Sequence, residues 1–135
     1  MEDFTWKEKF SVHVDEMDRQ HKRLLKYFAE FQDEIIAGEA SQKAFVLLDE
    51  VADFFEFHFS EEERLMKTMN YPELDLQTSL HAIFMDELKE IINPFRMGNV
   101  SGKRVVALFR DWYINHMIFE DHKYGVMISG GKPLA

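Results

Sequence analysis

The sequence predicts an all-α protein, an up-down-up-down four-helix bundle with an extended N-terminal arm (1–14) and a short C-terminal tail (125–135). Two observations support this prediction. Apolar residues recur at three- and four-residue steps in four long segments, and only short turn-rich stretches separate these segments. The chain has 135 residues, of which 46% are hydrophobic, so it is long enough for one domain with a substantial core. We therefore expect a single domain over 1–135 whose bundle spans about 15–124.

The arm and the first two helices have clear boundary signals. Apolar side chains occupy even positions over residues 4–14, a period of two that indicates extended chain. Asp15 is predicted to cap the first helix, with Asp18 as an acid in its first turn. Gly38 is predicted to end this helix, and Ser41 to cap the second.

Prolines and glycines delimit the third and fourth helices. The turn at 70–72 should end the second helix, because proline cannot continue one, and the third should run over about 72–92. Asn93-Pro94 is expected to end or kink it. The turn-rich stretch 98–102 precedes the fourth helix. Gly125, followed by further glycines and a proline, predicts a loosely structured tail.

Charge and composition exclude several functions. Asp and Glu number 25 against 16 Lys and Arg, and this net charge of −9 argues against nucleic acid or an anionic membrane surface as partner. Cysteine is absent, so no disulfide, thiolate nucleophile or cysteine-based zinc site exists. The longest apolar runs, such as 44–48 and 105–109, are far shorter than the ~20 residues of a membrane span, and the acidic start is unlike a secretory signal. We expect a cytoplasmic protein, and a monomer, since no long exposed apolar face indicates an obligate partner.

Polar side chains interrupt the apolar stripes of all four helices. They are His21, His58, Glu62, Gln77, His81, His116 and Asp121. The pairs His58/Glu62 and Gln77/His81 have i,i+4 spacing, which places each pair on one helix face. The acids beside Glu62, which are Glu61 and Glu63, are expected to face solvent.

These inward acids predict a metal site. A single histidine on an apolar stripe is usually a hydrogen-bonded core residue, but here four histidines and two acids share the interior. Burying unpaired carboxylates costs several kcal/mol, and the stripes contain no Lys or Arg to offset it. Imidazole and carboxylate without sulfur suit iron, zinc or manganese. The ferritin-like di-iron pattern is excluded, because it needs two Glu-x-x-His motifs and the sequence has none.

The spaced motifs together resemble the hemerythrin family. They are Asp18-x-x-His21, His58-x-x-x-Glu62, His81-x-x-Phe84 and His116-x-x-x-x-Asp121, in this order across four helices. The arm with Trp6 and the segment from Glu61 to Tyr71 resemble bacterial single-domain members. The resemblance covers about 4–124.

The resemblance implies a bundle around a non-haem di-iron centre, oxo- or hydroxo-bridged, that binds O2 reversibly. The implied ligands are His21, His58, Glu62, His81, His116 and Asp121. The two carboxylates would bridge the irons, the first two histidines would bind the iron that receives O2, and the last two would bind its partner. Leu24, Phe59, Trp112, Tyr113 and Met117 are expected either to line the O2 pocket or simply to pack the core.

One position departs from the family pattern. The family has a third histidine on the second iron, four residues before His81, and this chain has Gln77 there. The glutamine could coordinate through its amide oxygen, hold a water or leave a position open. His13 and His122 are not expected to replace the histidine, because His13 precedes the first helix and His122 lies about 100° round the helix from Asp121.

Two further expectations concern geometry and function. His116 and Asp121 are five residues apart, about 140° on an ideal helix, so we expect a widened or frayed turn between them. An oxygen-binding protein for storage, delivery or sensing is the preferred function. The alternatives are a di-iron enzyme that decomposes peroxide or reduces O2, favoured by Gln77, and a metal-binding module with one metal or none.

Overall fold

The computed structural model describes residues 1–38 and 40–130, which form a bundle of four helices. Three are α1 (Asp15–Gly38), α2 (Gln42–Thr68) and α3 (Leu74–Arg96). The fourth is one continuous rod made of α4 (Gly102–Asp111), a π-helical segment (Trp112–Glu120) and α5 (Asp121–Ile128). Helices α1 and α3 each pack against both α2 and α4. This arrangement confirms the predicted all-α bundle.

The arm is extended, as predicted, apart from one 3-10 turn at Glu8–Phe10. Its backbone is tied to α1, since the N–H and C=O of Glu2 both pair with the side chain of Gln32 at 2.9 Å. The prediction that Asp15 caps α1 was wrong, because the helix already begins at Asp15. Asp18, not Asp15, contacts the arm: its carboxylate accepts hydrogen bonds from the Val12 N–H, at 2.9 Å, and from the Ser11 hydroxyl.

The predicted start of α2 is confirmed and the predicted end of α3 is not. The Ser41 hydroxyl oxygen accepts the Ala44 N–H at 3.0 Å, as an N-cap does. Pro94 lies within α3, which continues to Arg96. Because Pro94 is in the last turn, it removes only one helical hydrogen bond there, which the helix tolerates.

The prediction placed the start of the tail too early, at Gly125, because α5 continues through this residue to Ile128. Gly125 meets a close neighbour instead of ending the helix: a Cβ at this position would lie 3.0 Å from the Cα of Val12 in the arm. Glycine therefore allows the arm to cross the fourth helix at short distance. Residues 131–135 of the predicted tail lie outside the described residues.

Two apolar clusters flank the polar side chains of the interior. The larger is rich in phenylalanine and includes Phe28, Phe55 and Phe109. The smaller consists of Val12, Met17, Met66, Tyr71 and Tyr124. Along the described chain, none of the helices combines the length and hydropathy that crossing a bilayer requires.

Candidate metal centre

All seven polar side chains predicted to point inward are buried. The buried polar set of the described residues is Gln20, His21, Gln32, His58, Glu62, Gln77, His81, His116 and Asp121, and it contains neither Lys nor Arg. Five of these, including both acids, are fully inaccessible: His21, His58, Glu62, Gln77 and Asp121. The acids therefore lie among imidazoles and the Gln77 amide, with no Lys or Arg of the described residues buried beside them.

The first group of donors surrounds the Nε2 atoms of His21 and His58. The Nε2 of His21 lies 3.2 Å from Oδ2 of Asp121 and 3.4 Å from Oε2 of Glu62. The Nε2 of His58 lies 3.6 Å from the same Oε2 atom. One donor atom from each of these four residues falls within 4.8 Å of all the others. This is a compact set of two nitrogens and two oxygens.

The second group surrounds the Nε2 atoms of His81 and His116, which are 2.8 Å apart. The Nε2 of His81 lies 3.1 Å from Oε1 of Glu62. The Nε2 of His116 lies 3.3 Å from Oδ1 of Asp121 and 3.8 Å from Oε1 of Glu62. This set again has two nitrogens and two oxygens.

Both carboxylates belong to both groups. Glu62 directs Oε2 to the first pair of histidines and Oε1 to the second. Asp121 directs Oδ2 to His21 and Oδ1 to His116. The separations within the two groups run from 2.8 to 3.8 Å, which suits donors that share one ion with bonds of about 2.1 Å. The geometry fits two metal ions bridged by two carboxylates.

Unsatisfied polar atoms give an independent test of this fit. In the described part of the chain, eight buried side-chain nitrogen and oxygen atoms lack a hydrogen-bond partner, and six are in this cluster. The six are Nδ1 and Nε2 of His21, Nε2 of His58, Oε1 of Glu62, Oε1 of Gln77 and Oδ2 of Asp121. Buried polar groups are normally paired, so such a concentration needs a further partner. Metal ions would satisfy five of the six, all except Nδ1 of His21, whose Nε2 is the atom that faces the carboxylates.

The π-helical segment explains how His116 and Asp121 face the same site. Its hydrogen bonds run from residue i to i+5, and the N–H of Asp121 donates to the carbonyl of His116. This wider turn brings residues five apart onto one face. The predicted widened turn is therefore confirmed.

Side chains beside the donors orient the imidazoles. The amide oxygen of Gln20 lies 2.8 Å from Nδ1 of His58, and Oε2 of Glu63 lies 2.7 Å from Nδ1 of His81. Each acceptor favours a proton on Nδ1, which leaves Nε2 free to bind a metal. The expectation that Glu63 faces solvent holds only in part: its side chain is 30% exposed, and it also contacts His81 and Thr78 of α3.

Sequence reasoning also missed Tyr124. Its hydroxyl donates to Oε2 of Glu62 at 2.8 Å, across the boundary with the smaller apolar cluster. The side chain is completely buried. A signal for it was present, since Tyr124 lies three residues after Asp121 and thus on the same face of the helix.

Electrostatics favour cations in the cluster. Burial lowers the pKa of His58 to about 3. Burial also acts to lower the pKa of His21, but Asp121 and Glu62 outweigh it and raise that pKa to about 9. Burial and the charge of Glu62 raise the pKa of Asp121. The two carboxylates therefore favour positive charge at the position of His21.

Gln77 lies at the second group of donors, at the position of the missing histidine. Its Nε2 donates to Oδ1 of Asp121 at 3.5 Å, and its Oε1 is among the unsatisfied atoms. The amide is thus inside the site, with a free neutral oxygen. By contrast, His13 is exposed in the arm and His122 is half-buried beside Phe10, so neither joins the donor groups.

Aromatic side chains from the larger apolar cluster close one side of the centre. The ring of Phe59 stacks on that of His81, with ring centroids 3.9 Å apart. The ring centroids of Trp112 and His21 are 6.1 Å apart. Leu24 and Met117 are buried in the same cluster. Tyr113 is also part of it, but its hydroxyl donates to the Thr5 carbonyl of the arm at 3.5 Å.

Known proteins match this chain over most of its length. The family model described as the hemerythrin HHE cation binding domain matches residues 12–128. A myohemerythrin of Theromyzon tessulatum is 28% identical over 123 residues, covering 91% of this chain and 92% of the relative. A bacteriohemerythrin of Stenotrophomonas maltophilia is 26% identical over 126 residues, covering 92% and 80%. With the buried donors described above, these matches identify the cofactor as a pair of non-haem iron ions. The chain therefore belongs to the hemerythrin family of di-iron, oxygen-binding proteins.

Proposed function

We propose that this chain takes up and releases O2 reversibly, as a store, carrier or sensor of O2, and does not consume it. The ligands would be His21, His58, Glu62, His81, His116 and Asp121. The observation that carries this proposal is the division of each carboxylate between two histidine pairs, which builds two adjacent metal positions. When bound, two ferrous ions supply the electrons that reversible O2 binding requires.

The chain's own residues would keep water away from the His21 and His58 side. Both imidazoles are completely buried, and Trp112 lies within 6.2 Å of each ring. Leu24, one turn after His21, is completely buried as well. A small apolar molecule such as O2 enters such surroundings more easily than water or a hydrated anion. We propose that Leu24, Trp112, Tyr113 and Met117 protect this side from bulk solvent, and that Phe59, which stacks on His81, covers the other side.

Reversal of O2 uptake tests the proposal. The reduced, iron-loaded protein is exposed to air, its visible spectrum is recorded, and O2 is then removed under argon through several cycles. Reversible uptake predicts that the same spectrum forms and disappears in every cycle, with about one O2 bound per pair of irons. Progressive loss of the signal with net O2 consumption would contradict the proposal.

One observation favours a second candidate, an enzyme that decomposes peroxide or reduces O2. A surface cleft of about 310 Å³ between α2 and α3 is lined by Phe59, Glu63 and His81. A second cleft, of about 240 Å³, between α3 and the fourth helix is lined by His116. His81 and His116 thus border surface clefts, whereas His21 and His58 are completely buried.

Turnover distinguishes the two candidates. An oxygen electrode records O2 release from added peroxide, and O2 uptake in the presence of a reductant, at a fixed concentration of iron-loaded protein. The enzyme hypothesis predicts many turnovers per pair of irons, and the carrier hypothesis predicts none. Gln77→His is the informative variant, because turnover that depends on the altered iron should fall when the imidazole is restored.

A further inference from the structure

The two orienting contacts at the centre differ in charge. His58 is held through Nδ1 by a neutral amide, that of Gln20, at 2.8 Å. His81 is held through Nδ1 by a carboxylate, that of Glu63, at 2.7 Å. A carboxylate that accepts the Nδ1 proton makes the imidazole a stronger donor through Nε2 than a neutral acceptor does. His81 is therefore the more strongly supported ligand.

Glu63 is built into this contact. One oxygen faces His81, and the Thr78 hydroxyl of α3 lies 3.4 Å from the other. Its side chain is 30% exposed, so the carboxylate keeps partial hydration at the rim of the α2–α3 cleft. Glu63 thus makes this contact without full burial, which costs free energy for a carboxylate.

The charged contact occurs in the half of the centre that lacks an imidazole. The second donor group has two histidines, and Gln77 occupies the position of a third. An amide oxygen is neutral and a weaker donor toward iron than imidazole. The weaker donor and the strengthened histidine are on the same helix face, four residues apart.

We propose that Glu63 compensates for Gln77. By holding the Nδ1 proton of His81, its carboxylate orients that ring and strengthens its bond to the second iron, where the chain has one imidazole fewer. Glu63 is thus a positioning residue that acts through His81. This inference rests on the di-iron site of the proposed function, but not on whether the site binds O2 reversibly.

A double-mutant cycle tests compensation. Iron per chain is measured at equilibrium against graded concentrations of a ferrous chelator, under argon, for the wild type, Glu63→Gln, Gln77→His and the double variant. Glu63→Gln retains an acceptor for the Nδ1 proton and removes only the charge. We expect it to weaken retention of the second iron about tenfold in the wild type, and about threefold or less with Gln77→His.

Glu61→Gln is the matched control, because Glu61 is on the same turn of α2 but pairs with Arg64. It should leave iron retention within about twofold of the wild type, the scale of an exposed ion pair. A change below twofold for Glu63→Gln in the wild type overturns the proposal. So does an equal loss in both backgrounds, which would make Glu63 an ordinary orienting group. Because the assay contains no O2, a chain that holds two irons without reversible O2 binding would refute the proposed function alone.

Discussion

The two halves of the candidate metal centre share the carboxylates of Glu62 and Asp121 but differ in their surroundings. The half with His21 and His58 is completely buried, and its one orienting partner is the neutral amide of Gln20. The half with His81 and His116 borders two surface clefts, includes Gln77, and is oriented by the carboxylate of Glu63. We call the completely buried half, oriented by a neutral amide, the closed half, and the half that borders surface clefts and is oriented by a carboxylate the open half.

This difference indicates a division of tasks. Reversible binding of O2 needs a half from which water is excluded, and the closed half meets that condition. The open half needs only to hold its ion, so its ligands can vary as long as their combined donor strength is sufficient.

Glu62→Ala should remove the basis of both halves at once. The two carboxylate oxygens of Glu62 face the two histidine pairs. Their loss would leave each ion with one donor fewer and each histidine pair without a carboxylate oxygen that it now contacts. We expect iron per chain, measured by elemental analysis, to fall from two to well below one. Full iron content in this variant would refute the assignment of Glu62 as a bridge.

Leu24→Ala should open the closed half. Leu24 is fully buried, so the change should lower the free energy of unfolding by about 2–5 kcal/mol and leave a cavity one turn from His21. Water that enters should speed irreversible oxidation of the reduced centre in air, followed as loss of the reversible visible spectrum. Leu48→Ala is the control, because Leu48 is equally buried but about 15 Å along α2 from His58. Equal oxidation rates in the two variants would remove Leu24 from the pocket.

Gln77→His should make the open half more like the family pattern. The Gln77 amide is already inside the site, 3.5 Å from Asp121, so an imidazole at this position reaches the second ion with little backbone movement. We expect iron retention against a ferrous chelator to rise about tenfold. Unchanged retention would show that the glutamine oxygen is already an adequate ligand, and the case for altered chemistry in this half would lapse.

Periodicity predicted the four helices, but several of their first and last residues could not be predicted in this way. The stripes of α1 to α3 and the Ser41 cap depend on local spacing, which the sequence contains directly. The continuation of the fourth helix through Gly125 depends on a contact with Val12 of the arm, more than 110 residues away in the chain. No local pattern contains that contact, so glycine was interpreted as a helix breaker.

The candidate metal donors could be predicted because they are polar residues at positions where a core normally has apolar ones. The groups that orient them occupy ordinary positions in the sequence and could not be predicted in this way. His58 and Glu62 interrupt an apolar stripe and so attract attention. Glu63 is one of three consecutive acids and resembles its solvated neighbours in sequence, although it contacts His81. Tyr124 resembles an ordinary core aromatic until its hydroxyl is placed 2.8 Å from Glu62.

Tyr124→Phe should affect the closed half more than the open one. The tyrosine hydroxyl donates to Oε2 of Glu62, the oxygen that faces His21 and His58. Loss of a hydrogen bond to a charged group costs about 1.5 kcal/mol, and the shape of the core is preserved. We expect a loss of similar size in the free energy of unfolding, measured by denaturant titration, with both irons retained. Loss of an iron would instead make Tyr124 essential for binding.

His122→Ala should change neither half. His122 directly follows Asp121, but it is half-buried in a surface cleft with Lys9, Phe10 and Met117, and it lies outside both donor groups. An alanine there favours the helix and removes no described donor, so iron content and reversible O2 uptake should match the wild type within error. Loss of one iron would mean that His122 rotates inward when metal binds and supplies the imidazole that Gln77 lacks. In that case a third histidine would bind the second iron, and Glu63 would not compensate for a missing imidazole.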